Sequence, residues 1–413
     1  MSLTLSVKEV KVGINFGDGV IPVGRLAMGN RKIYFEYDRD FISRKLEISP
    51  LRLPLKAGVF SFECFLFEGL PGVLNDSLAD GWGRLLFDRF ALSKGVMASE
   101  ITALDRLAYV GQNGMGALVY EPDYSIVTTD DPICLDKMAE ETRMILEGLS
   151  NDVLEKILVL NGSSAGARPK ALIGINEKRD HLIYGTHDLP PGYTPWIVKF
   201  VMSKERLDAG AIEYVYALMA KEADIIVPNV HLFDSQKCPG YFAVQRFDRQ
   251  GHKRYHMHTA CGLLHSDYRA PSLDYRDLLV LTGALTQDVR EVEKMYRLAV
   301  FNVLAHNRDD HSKNFSFLMD KDGQWKVSPA YDLTFSSGPY GEQSTLVAGE
   351  GRNPTIEHLI KLGLFGSLKK DRIHEIIDQT RESLSKWTNL AKANGVDAMS
   401  IKAIEGKINR FQK

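Results

Sequence analysis

The sequence predicts an α+β fold with a small β-rich N-terminal domain, a mixed central region and a mostly helical C-terminal lobe. Residues 10–67 consist of short alternating segments separated by turn residues, a pattern typical of β-hairpins. Apolar runs at 171–175 and 194–200 predict two further strands in the centre of the chain. Residues 289–304 and 355–413 instead have apolar residues at helical spacing. The boundaries predicted from these changes divide the chain into residues 1–122, 123–245 and 246–413.

Length and composition exclude several classes of protein. A chain of 413 residues is too long for one simple core, so two or three domains are expected. The net charge of -2 gives no global basic field, so contact with nucleic acid should be local or made through a partner. Four scattered cysteines argue against a structural zinc site and a disulfide framework. Without a secretory leader or an apolar run of about 18 residues, we expect a cytoplasmic protein with no membrane segment.

A helix is predicted to follow the β-rich segment, beginning near Ser77 as its N-cap and running through Trp82 to Phe90. Asp76, Asp80 and Arg84 surround its start. They form either a functional site or a set of cap and salt-bridge residues, and the second role is the commoner one for such positions.

A glycine-rich segment follows at residues 111–116. Three glycines could cradle a phosphate, but a helix N-terminus is the usual anion-binding partner and a strand-like segment follows here instead. The segment is therefore interpreted as a tight structural turn. Helices are predicted after it, at about 135–149 and at 152–160.

The central region contains a small-residue loop and a strand lysine. Residues 161–170 are small residues followed by Arg168, Pro169 and Lys170, and a loop of this kind brings backbone amides close to phosphates. Lys199 ends an apolar strand, and Glu213 lies early in the next predicted helix. In protein kinases a strand lysine pairs with phosphates and is held by such a glutamate. A flexible loop and a snorkelling edge-strand lysine remain the alternative interpretations.

The most informative stretch is residues 305–317, between an apolar helix and a strand-like run. Here Arg308 and Asp309 are followed five residues after the aspartate by Asn314, which is the spacing of the protein-kinase catalytic loop. Phosphoryl transfer uses the carboxylate to accept a hydroxyl proton and the amide oxygen to bind magnesium. Asp332 follows a turn and a strand, as a second metal-binding aspartate would. Chance occurrence and a solvated Asp-Asp-His turn are the alternatives.

With these pieces in order, the chain resembles the HipA family, the kinase toxins of bacterial toxin–antitoxin systems. The resemblance covers most of the chain and depends on several motifs in a fixed order. They are N-D-S-L with W-G-R (75–78 and 82–84), Y-V-G with G-M-G-A-L (109–111 and 114–118), S-x-A-G-A to Lys170 (from Ser163), R-F-D-R (246–249), D-x-H-x-K-N-F-S (309–316) and P-A-Y-D (329–332).

The resemblance implies a two-lobed protein-kinase-like fold and a role for each matching residue. Asp309 would be the catalytic base, Asn314 and Asp332 would bind Mg²⁺, and Ser163 would be the site of self-inactivating autophosphorylation. The ATP-binding residues implied are Ala165, Gly166, Ala167, Arg168, Lys170, Lys199, Gln245, Arg246, Phe247, His311, Lys313 and Tyr331.

Two departures from the family pattern affect nucleotide binding more than catalysis. Gln245 stands where a glutamate is expected at the hinge, which should alter an adenine contact. Pro169 precedes Lys170 and removes one amide donor from the phosphate loop.

The resemblance also implies partners: a protein substrate in translation, for which an aminoacyl-tRNA synthetase is the precedent, and a small helix-turn-helix antitoxin through which DNA is bound. Two alternatives stay open. One is a catalytically idle kinase fold that acts as co-repressor, against which the intact set Lys199, Asp309, Asn314 and Asp332 argues. The other is a small-molecule phosphotransferase.

Overall fold

A computed structural model describes residues 6–125, 133–148, 166, 168–185, 189–202, 205–270 and 272–411. The chain forms two compact units. The first comprises Met1–Glu205, Ala243–His258 and Met319–Gly323, and the second comprises Arg206–Phe242, Thr259–Leu318 and Gln324–Lys413. The helix predicted at 152–160 and Ser163 lie outside the described residues. The domain boundaries predicted at 122 and 245 stay predictions.

The described elements alternate between strands and helices along the chain. The strands are β1 Glu9–Asn15, β2 Val20–Gly29, β3 Lys32–Tyr37, β4 Val59–Ser61, β5 Leu118–Glu121, β6 Lys170–Asn176, β7 Leu182–Tyr184, β8 Tyr193–Lys199, β9 Val230–Phe233, β10 Tyr241–Gln245, β11 Arg249–Gln250, β12 Lys253–Arg254, β13 His256–Thr259, β14 Leu273–Asp274, β15 Ser316–Met319, β16 Trp325–Val327 and β17 Thr345–Leu346. The helices are α1 Arg39–Ser43, α2 Cys64–Phe67, α3 Gly72–Asn75, α4 Gly81–Ser93, α5 Ala103–Val110, α6 Leu135–Leu146, α7 Ala209–Glu222, α8 Ala260–Leu264, α9 Tyr275–Thr286, α10 Val289–Leu304, α11 Ile356–Phe365, α12 Lys370–Ser385, α13 Trp387–Ala393 and α14 Ala398–Ile408.

The N-terminal sheet of the first unit has the antiparallel order β4–β3–β2–β1–β5. The β2–β3 hairpin turns on Asn30 and Arg31, whose φ angles of 51° and 60° match the two-residue turn that suits the twist of a hairpin. Alternate side chains such as Val10, Val12 and Ile14 are buried on one face. The predicted β-rich N-terminal region is confirmed.

The start of α4 differs from its prediction. The helix begins at Gly81 with Asp80 at the N-cap position, and Ser77 lies four residues earlier. Ser77 is buried, and its hydroxyl accepts a hydrogen bond from the Tyr120 hydroxyl at 2.6 Å. The prediction that Ser77 caps the helix is therefore wrong, because the side chain faces the core of the unit instead of the helix terminus.

The second sheet of the first unit is built around β6. This strand pairs with β7 and β8 in antiparallel register, and residues 243–245 of β10 pair with β8. The strands predicted at 171–175 and 194–200 correspond to β6 and β8. Every residue from Lys170 to Ile175 is buried, which explains why β6 reads as a continuous apolar run.

A buried cluster of ions joins the R-F-D-R motif to the glycine-rich turn. Asp248 accepts hydrogen bonds from Arg246 at 2.7 Å and 3.0 Å, from Arg249 at 2.6 Å and from the Gly116 N–H at 2.7 Å. Both arginines also donate to the Gly114 carbonyl, at 3.1 Å and 3.0 Å. We call these residues the arginine–aspartate cluster. The interpretation of residues 111–116 as a structural turn fits these contacts.

The second unit is mainly helical, and its core packs around α10. The Tyr216 ring makes edge contacts with Phe301 and Trp387, with ring centroids 6.3 Å and 5.7 Å away. The Tyr216 hydroxyl donates to the Ala305 carbonyl at 2.7 Å, at the C-terminal end of α10. The helix predicted at 289–304 has those bounds in the structure. The helical C-terminal lobe, and with it the α+β fold class, is confirmed.

The arginine–aspartate cluster yields a stability prediction. Burial alone would raise the pKa of Asp248, but Arg246 and Arg249 beside it hold that pKa well below its usual range. Removing the carboxylate by Asp248→Ala leaves two buried guanidinium groups without a counter-ion. We expect the free energy of unfolding to fall by about 3–5 kcal/mol, measured by urea denaturation followed by circular dichroism.

The matched control is Asp378→Ala, because the Asp378 side chain is 71% exposed and lies 3.5 Å from Arg381. An exposed ion pair contributes little, so no clear shift is expected in this variant. Equal urea midpoints for the two variants would contradict the role given to the cluster.

Candidate functional site

The residues predicted to act in catalysis or in ligand binding belong to two compact units. In the second unit, the turn predicted to be catalytic follows α10 directly, and we call it the catalytic turn after that prediction. Asp309 is exposed, and Asn314 lies at the end of a 3-10 turn formed by residues 312–314. The Asn314 side-chain amide donates to the Asp309 carbonyl at 2.6 Å. This bond joins the first and last residues of the D-x-x-x-x-N motif, so the Asp309 carboxylate and the Asn314 amide lie on one short turn.

Asp310, the next residue, points the opposite way and is fully buried. Its carboxylate accepts hydrogen bonds from the Tyr275 hydroxyl at 2.6 Å, the Gln343 amide at 2.9 Å, and the N–H groups of Ser344 and Thr345 at 2.8 Å and 3.2 Å. Burial raises the pKa of Asp310 to about 6 in spite of these donors, which act in the opposite direction. We call these five residues the Asp310 network.

The Asp310 network extends into α10. The Asn302 amide donates to the Tyr275 hydroxyl at 3.0 Å, and the Asn307 amide donates to Asn302 at 3.0 Å. None of the donors to Asp310 was predicted from the sequence. No local pattern points to them, because they lie 33 to 35 residues away along the chain.

Asp332 is tied to the catalytic turn through its neighbour Tyr331. The Tyr331 hydroxyl donates to the Lys313 carbonyl at 2.6 Å and also hydrogen-bonds to the Ser316 hydroxyl. Asp332 has a φ of 53°, a left-handed conformation that costs an L residue free energy. Residues kept in such conformations are commonly found at functional sites. The two predicted metal ligands, Asn314 and Asp332, thus lie on segments joined by hydrogen bonds.

His311 and Lys313 lie on the same turn, next to an aromatic side chain that the sequence analysis did not single out. The Tyr268 ring lies 5.5 Å from the His311 ring, and the Lys313 ammonium lies 4.4 Å from the Tyr268 ring centroid. No isolated signal in the sequence identifies Tyr268, because its loop is far from residue 311 along the chain.

In the first unit, Lys170 and Lys199 occupy directly opposite positions on β6 and β8. Side chains at opposite positions of an antiparallel pair point to the same face, so both lysine side chains extend from one face of the sheet. Two cationic side chains on one face are suited to a phosphate group, which carries the opposite charge.

Gly166 is held by the residues at the start of α4. Its N–H donates to the Asp80 carboxylate, and its carbonyl accepts from the Trp82 N–H at 3.2 Å. Its φ of 109° suits glycine, and a Cβ atom here would overlap the Lys170 ammonium. Asp80 stands at the N-cap position of α4 but makes no side-chain capping bond to the helix, and its carboxylate instead fixes part of the small-residue loop. Ala165 and Ala167 lie outside the described residues.

Arg168 and the hinge residues are also committed to contacts within the first unit. The Arg168 guanidinium donates to Glu205 at 2.8 Å. Gln245 and Phe247 are half-buried, whereas Arg246 belongs to the arginine–aspartate cluster. A nucleotide contact by the Arg246 guanidinium would have to displace those bonds, and the Arg246 N–H already donates to the Pro195 carbonyl at 2.9 Å, so its own carbonyl is the group best suited to such a contact.

Asp76, the other acidic residue near α4, belongs to a buried relay. It hydrogen-bonds to His258 Nδ1 at 2.6 Å, and His258 Nε2 lies 3.0 Å from the Ser49 hydroxyl. The order of groups is that of a hydrolytic triad. However, Ser49 is only 1% exposed and His258 is fully buried, so no substrate could reach the hydroxyl. The relay is therefore structural. Of the two interpretations of Asp76, a functional site or a structural contact, the structure favours the structural contact, made here with His258.

The donor set fits magnesium better than a transition metal. Among the described residues there is no group of three or more His, Cys, Asp or Glu side chains arranged around a metal site. Mg²⁺ in phosphoryl-transfer sites is held by one or two protein oxygen ligands together with substrate phosphates. Asn314 and Asp332, the two predicted ligands, would provide that number and type of oxygen donor. Within the described residues, no helix is both long and apolar enough to cross a membrane.

These features define a kinase-like α+β protein. The chain belongs to the HipA family: residues 162–388 match the HipA-like C-terminal domain, and residues 19–121 match the HipA N-terminal domain. The family predicted from the order of the motifs is confirmed.

Curated relatives carry the description of kinases. The putative kinase Y4dM of Sinorhizobium fredii is 26% identical over 208 residues, which cover 46% of this chain and 50% of that protein. The putative kinase Y4mE of the same organism is 31% identical over 106 residues, covering 23% of this chain and 25% of that one. The chain thus spans half the length or less of these relatives.

A solved structure shares the fold over nearly the whole chain. It is the HipA chain in the toxin–antitoxin complex of HipA, HipB and operator DNA from Shewanella oneidensis MR-1. The TM-score is 0.69 at 18% sequence identity, and the match covers 97% of this chain and 96% of that chain. At this level of identity the likeness establishes the shared fold.

A prediction concerns the loop glycine. We expect Gly166→Ala to weaken binding of a nucleoside triphosphate about tenfold, because the added methyl group displaces the Lys170 ammonium. The left-handed backbone adds a stability cost of about 1–2 kcal/mol. Calorimetric titration with Mg²⁺ and ATP measures the first effect, and urea denaturation measures the second.

Gly192→Ala is the control for backbone strain alone. Gly192 also has a positive φ, 85°, but no atom lies within 4 Å of a Cβ built there. Gly192→Ala should therefore lose as much stability as Gly166→Ala, while its ATP affinity stays equal to that of the wild type. Equal ATP affinities in the two variants would contradict the contact between Gly166 and Lys170.

A further prediction concerns the pH dependence of the Asp310 network. The pKa of Asp310 is about 6 in the folded protein against an ordinary 3.8, so the folded state holds its proton to higher pH than the unfolded chain. The stabilisation from this group is fully present below pH 3.8 and is lost as the pH rises through 6. We expect the unfolding free energy of the wild type, relative to Asp310→Asn, to fall by about 2 kcal/mol between pH 4.5 and 7.

Urea denaturation of both proteins at a series of pH values measures this difference, and groups other than Asp310 cancel in the comparison. A difference that does not change with pH would show that Asp310 keeps an ordinary pKa.

Proposed function

We propose that the chain is an ATP- and Mg²⁺-dependent serine/threonine protein kinase of the HipA type. One observation supports this most strongly: the exposed Asp309 and the Asn314 amide share a turn that Asp310 anchors from the buried side. A turn held this rigidly keeps an acceptor carboxylate and a metal ligand at a fixed separation. Positioning of this kind is most of what phosphoryl transfer requires of a protein.

Asp309 acts on the hydroxyl of the acceptor. As an exposed carboxylate it can reach a serine or threonine side chain from solvent, orient its oxygen and accept its proton during transfer. Asn314 and Asp332 would hold Mg²⁺ through their side-chain oxygens. When bound, the ion supplies positive charge that offsets the charge of the phosphates.

Residues of the small-residue loop and of the strands that follow it would bind the nucleotide. Lys170 and Lys199 would hold the phosphates, together with Gly166 and Arg168 and with Ala165 and Ala167 of the same loop. The main chain at 245–247 would bind the adenine, as in a kinase hinge. His311, Lys313 and Tyr331 would also contact the nucleotide, as the family resemblance implies.

Regulation and partners follow from the family. Phosphorylation of Ser163 would place negative charge on a loop meant to contact ATP phosphates, which would switch the enzyme off. We further propose a protein substrate in translation, with an aminoacyl-tRNA synthetase as the precedent, and action in the cytoplasm. The Shewanella HipA chain was solved with HipB and operator DNA. A helix-turn-helix antitoxin that brings the chain to DNA fits its net charge of -2.

The central test is Asp309→Asn. Without the carboxylate the acceptor hydroxyl has no base, so we expect transfer from γ-labelled ATP to fall at least ~100-fold. ATP affinity and the urea midpoint should stay near those of the wild type, because the Asp309 side chain is exposed and the Asn314 bond uses its main-chain carbonyl. Label is quantified with and without cell lysate, and labelled residues are mapped by mass spectrometry.

The control is Asp322→Asn, which removes an exposed carboxylate from a surface turn. It should leave transfer unchanged. Retained transfer in Asp309→Asn would reject the mechanism. ATP binding without any transfer by the wild type, even with lysate, would instead favour the idle co-repressor. Label on Ser163 in the wild type alone would support the self-inactivating loop.

A further inference from the structure

Tyr268 lies on a short loop that is rigidly built. Arg269 donates to the Asp267 carboxylate through Nε at 2.8 Å, Nη2 at 2.9 Å and its own N–H at 3.0 Å. The hydroxyls of Ser266 and Ser272 lie 2.8 Å apart and close the loop at its base. These bonds hold residues on both sides of Tyr268, and the direction of its ring is shown by its contacts with the turn.

The loop is attached to the catalytic turn through α8. The Ala260 N–H, at the start of α8, donates to the Phe315 carbonyl at 2.8 Å, one residue after Asn314. At the other end of α8, the Ser266 N–H donates to the Cys261 carbonyl at 3.0 Å, and the Cys261 thiol donates to the Ser266 carbonyl at 3.0 Å. The loop that holds Tyr268 is therefore fixed relative to residues 311–314, all within the second unit.

The half-buried Tyr268 ring contacts two side chains of the turn at once. Lys313 places its ammonium 4.4 Å from the ring centroid, well inside the range of a cation–π interaction. The His311 ring meets it at an angle of 62°, with centroids 5.5 Å apart. Within the described residues, His311 Nδ1 is a buried nitrogen with no hydrogen-bond partner. The aromatic contact is thus the main interaction seen to orient this imidazole.

We infer that Tyr268 is a positioning residue for nucleotide binding, holding the Lys313 ammonium and the His311 ring in the orientation that meets ATP. This inference rests on the proposed function, which gives those two side chains to the nucleotide. A lysine side chain has four rotatable bonds, and an aromatic ring beneath its ammonium reduces the freedom that would otherwise be lost on binding phosphate. The ring, not the hydroxyl, makes both contacts, so phenylalanine should substitute for Tyr268.

The first measurement needs no nucleotide. Full-length wild type, Tyr268→Phe and Tyr268→Leu are treated with N-hydroxysuccinimidyl acetate, and acetylation of Lys313 is followed by mass spectrometry. The ring shields the amine, so Tyr268→Leu should acetylate Lys313 about threefold faster, while Tyr268→Phe matches the wild type. Tyr340→Leu is the control, because Tyr340 is a 98% exposed tyrosine of the same unit.

The second measurement is the affinity for Mg²⁺ and ATP, and for adenosine, by calorimetry. Tyr268→Leu should weaken ATP binding about fivefold but change adenosine binding less than twofold, because the effect acts through the phosphate-binding ammonium. Tyr268→Phe should restore wild-type affinity. In a Lys313→Met background, Tyr268→Leu should add less than a further twofold loss, since the partner of the ring is already gone.

The outcomes separate this inference from the proposed function. Unchanged acetylation and unchanged ATP affinity in Tyr268→Leu would overturn the role of Tyr268 while leaving the kinase proposal intact. An equal loss of ATP and adenosine binding, or a full fivefold loss in the Lys313→Met background, would indicate general damage and would also overturn it. A wild type that does not bind ATP would overturn both, whatever the acetylation rates.

Discussion

The catalytic turn depends on the buried carboxylate of Asp310. Four donors from α9 and from residues 343–345 converge on it, and a fully buried charged group is retained only where such donors compensate its lost hydration. Asp310 is buried and the adjacent Asp309 is exposed, so the bonds that hold Asp310 also hold the backbone next to Asp309. One side chain is anchored in the core, and its neighbour carries the carboxylate that the proposed function uses as a base. The fixed turn in turn gives Tyr331 and Tyr268 defined groups to contact.

The first unit contains two groups of charged side chains: one pairs arginines with an aspartate, and the other consists of two lysines. In the arginine–aspartate cluster, Asp248 accepts from both arginines and glycine carbonyls accept the remaining guanidinium donors. Such a cluster stabilises the join between the R-F-D-R motif and the glycine turn. Lys170 and Lys199 instead place two positive charges at opposite positions of adjacent strands. Two cationic side chains on one face of the sheet are suited to a phosphate group, which carries the opposite charge.

Glycine residues contribute to both the arginine–aspartate cluster and the small-residue loop of the first unit. Gly114 and Gly116 offer their carbonyls to buried arginines, and Gly166 lies against the Lys170 ammonium where a side chain would not fit. The Asp80 contact to Gly166 links a residue in the HipA N-terminal domain match to one in the C-terminal domain match.

The sequence by itself determined the elements with strong local signals and the family to which the chain belongs. The helix at 289–304, strands β6 and β8, and the Asp309-to-Asn314 spacing were readable because periodicity and motif spacing are local properties. Only the tertiary structure decided the partners: Asp310 with Tyr275 and Gln343, Tyr268 with Lys313, Asp80 with Gly166, and Ser77 with Tyr120. These pairs are separated by 33 to 86 residues along the chain. No spacing rule in a single sequence encodes such contacts, because they arise from how helices and strands pack and not from the order of neighbouring residues.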